Sequence, residues 1–136
     1  MVILAVDYGD ARTGLAVCDK TELLASPVTV IHERYVPNVI EKIKAAALSL
    51  HPEQIVVGLP KNMDGSCGER AQKCAAFAKE LEETTGIETV LWDERLTTVA
   101  AHRALSEVNV RGKKRKNVVD AVAAVMILED YLRSRR

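Results

Sequence analysis

Aromatic residues make up only 4% of this 136-residue chain, with one Trp, three Tyr and one Phe. That scarcity argues against a sheet that stacks nucleobases on exposed rings. Neither sign of charge is in excess, since 19 Lys and Arg stand against 19 Asp and Glu. A uniformly basic nucleic-acid coat and an acidic tail protein are both disfavoured by that balance. No apolar run approaches the ~20 residues of a membrane span, so no membrane association is expected. The opening MVILAVDYGD carries no basic leader, and its apolar run stops at Asp7; it does not read as a secretory signal. Cysteines are few and odd in number (Cys18, Cys67 and Cys74), with no C-x-x-C pair. Reduced thiols in a cytoplasmic protein fit this better than a disulfide scaffold or a zinc site. Repeats and low-complexity linkers are also missing. The length suits one domain around one core, expected to span residues 1–136.

What is present is a strong alternation of elements. Val2 to Val6 is a continuous apolar run, which predicts a strand buried on both faces. Tyr8 to Gly14 reads as a turn, Leu15 to Cys18 as a second strand, and Pro27 to Ile31 as a third. Short connections between these three predict antiparallel pairing. Val39, Ile40, Ile43, Ala47 and Leu50 then recur at helical spacing, and His51-Pro52 should end that helix. Gln54 to Gly58 reads as a fourth strand. Ser66-x-x-Glu69 has the form of a capping box ahead of the stripe Ala71, Cys74, Ala75, Ala78 and Leu81, with Gly86 as its stop. Ile87 to Trp92 is a fifth strand. A helix over about 97–106, a basic loop and a last helix over about 117–133 complete the chain. The order β-β-β-α-β-α-β-α-α predicts an α/β fold. Its mixed five-stranded sheet has three antiparallel strands, then two parallel ones, flanked by helices.

Three acidic positions are hard to explain by folding alone. Asp7 ends an apolar strand, at the carboxyl edge where ligands of open α/β sheets bind; the plainer reading is an Asp that starts a turn. Asp93 and Glu94 end the fifth strand, where the dipole of a following helix would also favour acids. Asp120 is the lone polar residue in VVDAVAAVMIL, a stretch expected to be buried all round. Asn117 capping the helix, with Asp120 in its first turn, is the competing explanation. If strands one and five run to the same edge, Asp7, Asp93 or Glu94, and Asp120 share a pocket. Clustered carboxylates repel one another unless cations hold them, and hard Mg²⁺ or Mn²⁺ suits such oxygens. Two such ions ~4 Å apart support phosphodiester cleavage. The three histidines, His32, His51 and His102, lie near none of these motifs and read as ordinary surface or core residues.

A nuclease also needs cations for phosphate. Arg111, Lys113, Lys114, Arg115 and Lys116 form the one dense basic run, just before Asp120. Lys61 and Asn62 open a loop that leads into a helix, whose N-terminal amides could receive a phosphate. Arg12 and Arg95 flank the acids, either to pair with them or to touch substrate.

Four segments together resemble the YqgF (RuvX) family. They are Asp7-Tyr-Gly-Asp-Ala-Arg12-Thr-Gly14-Leu-Ala16, Gly58-Leu-Pro60 with Asp64-Gly65, Trp92-Asp-Glu-Arg-Leu-Thr-Thr98, and Val119-Asp120-Ala-Val-Ala-Ala124 through Tyr131-Leu132. The likeness spans nearly the whole chain. It implies an RNase H-like fold and a bacterial cytoplasmic nuclease that matures the 5′ end of the pre-16S ribosomal RNA. It also implies Asp7, Glu94 and Asp120 as the metal-binding catalytic acids. The family is likewise described as Holliday junction resolvases, by analogy with RuvC. Resolvases place a glutamate at the end of the fourth strand, where this chain has Gly58-Leu-Pro60. The acid must then come from Asp93 or Glu94.

The leading expectation is therefore a Mg²⁺- or Mn²⁺-dependent nuclease, a monomer or homodimer, acting on pre-rRNA or on ribosomal precursor particles. A junction-resolving DNA nuclease is the alternative, and it would need a two-fold dimer. Two further readings belong to other classes. One is a nucleotide-binding module of the actin and sugar-kinase type, which normally closes two such domains around ATP. The other is a non-catalytic ribosome-assembly protein, in which the acids would be vestigial.

Overall fold

The computed structural model describes residues 1–95, 97, 99–101 and 113–136; in the last helix, side chains are described from residue 122 onward. Five strands form one sheet: β1 (Ile3–Asp7), β2 (Arg12–Cys18), β3 (Ala25–His32), β4 (Gln54–Leu59) and β5 (Glu88–Asp93). Their order across the sheet is β3-β2-β1-β4-β5. The first three strands pair antiparallel, β4 joins β1 in parallel, and β5 joins β4 in parallel. This is the mixed sheet that the connection lengths predict. β1 is the central strand, and all five of its residues are buried.

Alternation along the strands divides the core in two. Leu4, Val6, Leu15, Ile55 and Val57 pack under α1 (Val36–Leu50) and α2 (Glu69–Thr85), against Ile43, Phe77 and Leu81. Ile3, Ala5, Ala16 and Val56 face the other way, toward α3 (Lys113–Ser134) and its Ala124, Ile127 and Leu128. The two faces follow from the period of two along a strand.

α1 ends as expected. His51 takes a left-handed conformation (φ 51°), and Pro52 follows. α2 stops at Gly86 (φ 72°), whose N–H bonds Glu82 O. Its start differs from the sequence reading. Gly68 is the N-cap, with no side-chain cap bond. The Ser66 hydroxyl instead donates to Asp64 Oδ1 at 2.6 Å, so the expected capping box does not form. β2 also begins earlier than expected, at Arg12, because Arg12 pairs with His32 and Gly14 with Asp7. The turn shrinks to the residues between β1 and Arg12.

The last helix departs most from expectation. It begins at Lys113, so Lys113, Lys114, Arg115 and Lys116 are helical rather than a loop. Asn117 is an interior position and cannot cap it. Nor is the helix buried all round. Val122 is 36% exposed, while Ala123, Ala124, Ile127 and Leu128 are fully buried. α3 lies across one face of the sheet and turns its other side outward. Of the helix expected over 97–106, residues 99–101 are helical; residues 102–106, with His102, and Arg111 lie outside the described residues. Among the described residues, no helix is long and apolar enough to cross a membrane.

Candidate functional site

Parallel pairing brings the carboxyl ends of β1, β4 and β5 to one edge. Asp7 is the last residue of β1 and only 6% exposed. It is in phase with Ile3 and Ala5, on the face of the sheet covered by α3. Glu94 follows β5 directly and is 3% exposed. Its N–H bonds Leu59 O at 3.2 Å, and its carbonyl accepts from Thr97 Oγ1 at 2.5 Å. The segment is thus tied to the end of β4. Both acids line one cavity of ≈250 Å³, together with Tyr8, Gly58, Arg70 and Cys74.

Gly58 explains how Glu94 gets there. A Cβ built at position 58 would overlap Glu94 Oε2 and lie 2.7 Å from Ile127 Cδ1. The glutamate carboxylate fills the space that a side chain on β4 would need. Glu94 thereby reaches the end of β4 from the residue just after β5.

The choice left open between Asp93 and Glu94 has a geometric basis. Trp92 faces α3 and packs in the second core cluster. Asp93, one residue on, falls on the opposite face of β5. There it forms an ion pair with Arg95, whose Nη2 donates to Oδ2 at 2.9 Å and whose Nε donates to both oxygens at 3.1–3.2 Å. The Arg95 N–H adds a further bond at 3.0 Å. These bonds, the guanidinium first, hold the Asp93 carboxyl below its usual 3.8. Asp93 is not among the residues lining the cavity.

Other expected contacts gather at Asp93 rather than in the cavity. Lys61 adds to the field that lowers the Asp93 carboxyl. Asn62 bonds Ser66 through both backbone and side chain, closing the 62–66 turn. Gly65 sits in that turn at φ 92°, and Arg95 Nη1 is 3.0 Å from where its Cβ would stand. Arg95 thus fastens the turn to the end of β5. Arg12 lies at the same sheet edge, and its Nε is buried without a hydrogen-bond partner among the described residues. His32 and His51 are exposed, as surface histidines would be. Cys74 is buried and Cys67 exposed, and neither forms a disulfide.

Asp120 belongs to α3 by its backbone. It stands three, four and seven residues before Ala123, Ala124 and Ile127, the helical row that faces the sheet. Its side chain lies outside the described residues, as do those of Lys113 to Lys116. Among the described residues, no group of three metal-ligating side chains converges; the cavity brings two such acids together.

Arg70 is a cavity residue that the sequence did not disclose. It lies in the first turn of α2, where an arginine reads as a solvated surface residue. The fold carries it across to the turn after β1. There Nη2 donates to Tyr8 O and Nη1 to Asp10 Oδ1 at 3.0 Å. Its guanidinium carbon lies 5.2 Å from the centre of the Tyr8 ring. The other side of that ring stacks on Phe77 at 4.1 Å. Burial raises the Tyr8 hydroxyl above its usual 10.0, partly offset by Arg70.

Known proteins agree with this architecture. The RuvX family model, described as Holliday junction resolvase, matches residues 1–134. The chain belongs to the RuvX family. A relative from Halothermothrix orenii is 45% identical over 132 residues, covering 97% of this chain and 94% of its own length. Another from Clostridium novyi is 42% identical over 134 residues, covering 98% and 99%. Both carry the name "Putative pre-16S rRNA nuclease". The solved structure of Thermus thermophilus RuvC with a Holliday junction substrate superposes with a TM-score of 0.61 at 14% identity, covering 99% of this chain and 95% of that one. The fowlpox virus Holliday junction resolvase gives 0.55 at 14% identity, covering both chains fully. The RuvX chain therefore has the RNase H-like fold of the resolvases, as its motifs imply. At its sheet edge, Glu94, directly after β5, is seated over Gly58.

Proposed function

We propose that this RuvX chain is a nuclease that hydrolyses phosphodiester bonds in the precursor of 16S ribosomal RNA. The observation that carries this reading is the placement of the buried Asp7 and Glu94 carboxylates in one cavity at the carboxyl edge of the sheet. Relatives above 40% identity that are named for this activity support the substrate.

The donors fit a divalent metal. They are carboxylate oxygens on rigid elements, as hard Mg²⁺ or Mn²⁺ requires. The glycine cradle at position 58 leaves the glutamate head room to sit beside Asp7's strand. Asp120, on the sheet-facing row of α3, is the third acid of the set. A divalent ion there supplies Lewis-acid activation of the attacking water and charge neutralisation at the leaving oxygen.

The chain's own residues do the positioning. The β1 ladder fixes Asp7, and the Leu59 and Thr97 bonds fix Glu94. Asp93 and Arg95 hold the 62–66 turn at the rim. The basic residues Arg111 and Lys113 to Lys116, with Arg12, Lys61 and Asn62, are the proposed contacts to the nucleic-acid backbone. The soluble setting of such a substrate makes the cytoplasm the proposed compartment.

The test is cleavage of a 5′-extended 16S precursor against a mobile four-way DNA junction, with Mg²⁺ or Mn²⁺, by wild type and folded Asp7→Asn. RNA cleavage that vanishes in the variant is expected. Paired symmetric nicks in the junction, with intact RNA, would instead make the chain a resolvase. No cleavage of either, or an undiminished variant, would leave a non-catalytic role.

A further inference from the structure

Arg70 is a described cation that lines the cavity holding Asp7 and Glu94. Arg95 is taken up by Asp93. Arg70 is held differently. Its guanidinium bonds a carbonyl, that of Tyr8, and Asp10, whose side chain is 66% exposed. A guanidinium has five N–H groups, so most of its donors are uncommitted by these bonds. The Tyr8 ring, itself stacked on Phe77, fixes the guanidinium in place from one side. An arginine ordered at the rim of an acidic pocket, with an exposed and weakly held carboxylate as partner, is ready to exchange that carboxylate for a phosphate.

The neighbouring surface gives that exchange a direction. Beyond Tyr8 lies a second cavity of ≈380 Å³, lined by Asp10, Glu80 and Lys73 among others. Lys73 is also 3.6 Å from Glu69, so acids dominate there. A phosphodiester backbone gains nothing by entering it. The first cavity also holds two acids and suits phosphate only with the divalent ions proposed there; Arg70 lines that cavity and not the second.

Resting on the nuclease reading above, we propose that Arg70 binds a non-bridging phosphate oxygen of the substrate backbone beside the scissile bond, and that Asp10 holds the guanidinium parked until substrate displaces it. Asp10 is then an internal competitor for the phosphate.

The experiment measures binding and cleavage of a labelled precursor RNA across a KCl series. The proteins are wild type, Arg70→Ala, Arg70→Lys, Asp10→Asn and the Arg70→Ala/Asp10→Asn double variant. Thermal melting and Mn²⁺ affinity are recorded for each. Arg70→Ala is expected to weaken RNA binding about 10- to 100-fold, the loss of a charge-assisted hydrogen bond. The slope of log affinity against log salt should shrink by about 1. Mn²⁺ affinity should not move. Arg70→Lys should recover part of the loss, because it keeps the charge without the fork. Asp10→Asn should bind RNA more tightly than wild type, and the double variant should match Arg70→Ala alone.

A purely structural latch predicts otherwise: both single variants lower the melting temperature and neither changes the salt slope. That result overturns the proposal. If Arg70→Ala does not fold, Arg70→Lys and Asp10→Asn decide it, and weaker or unchanged RNA binding by Asp10→Asn overturns it. If wild type neither binds nor cuts the RNA, the nuclease reading fails first and this proposal falls with it. If wild type cuts normally and Arg70→Ala binds equally well, this proposal alone fails.

Discussion

The carboxylate of Glu94 occupies the volume that any side chain at Gly58 would fill. The residue directly after β5 thereby reaches the end of β4, and Asp7 at the end of β1 lines the same cavity. The relationship makes position 58 intolerant of any side chain.

Gly58→Ala should therefore impair catalysis without touching a charge. The new methyl collides with Glu94 and with Ile127, and overpacking of this kind costs about 1–3 kcal/mol. Cleavage should fall at least about tenfold, because the displaced carboxylate loses its register with Asp7. Gly86→Ala is the control. That glycine has a positive φ but open space around it, so strain of about 1 kcal/mol should appear in melting and leave cleavage unchanged. Steady-state kinetics and thermal denaturation on both variants check this.

Ile127→Ala removes the apolar neighbour on the other side of that site. Ile127 is fully buried between α3 and the sheet. A loss of about 2–5 kcal/mol is expected in urea unfolding. Cleavage per folded molecule should also drop, because the support beneath Glu94 and Gly58 loosens.

The termini carry a pH-dependent clamp. Glu22 accepts from Arg135 at 2.7 Å and from the Met1 amine at 2.8 Å. The Arg135 bond first, then the amine, lowers its carboxyl from 4.5 to about 2. A lowered acid stabilises the folded state above its unfolded pKa, and the contribution is lost as pH falls through the folded one. Glu22→Gln should thus melt below wild type at neutral pH, and the gap should close between pH 4.5 and about 2. The Met1 amine is raised above 8.0, chiefly by the Glu22 bond. Its contribution is complete below pH 8.0 and is lost as pH rises through the raised value. Melting temperature against pH for both proteins tests the two limbs.

Much of this was legible in the chain because the signals were local. The apolar run before Asp7, the short connections of the first three strands and the stops at His51 and Gly86 each act within a few residues. They gave the sheet and its edge. Where several weak local signals competed, the reading slipped. Ser66 looked like a cap, but it prefers the nearer Asp64. Lys113 to Lys116 looked like a loop because their charge hid their helical backbone. Arg70 carried no signal at all, since its partners Tyr8 and Asp10 are some 60 residues away. The choice of Glu94 over Asp93 also needed the sheet. Only the β4–β5 register shows which of two adjacent acids turns toward Asp7's face.

The most direct test of the account compares Glu94→Gln with Asp93→Asn, both folded, in Mn²⁺-dependent cleavage of the 16S precursor. The account predicts that Glu94→Gln loses at least about 100-fold in kcat with weakened Mn²⁺ binding, a loss at least as large as that of an outer-shell residue. Asp93→Asn should keep its Mn²⁺ affinity and lose activity only through the loosened 62–66 turn. Undiminished cleavage by Glu94→Gln, or loss of Mn²⁺ binding in Asp93→Asn alone, would contradict it.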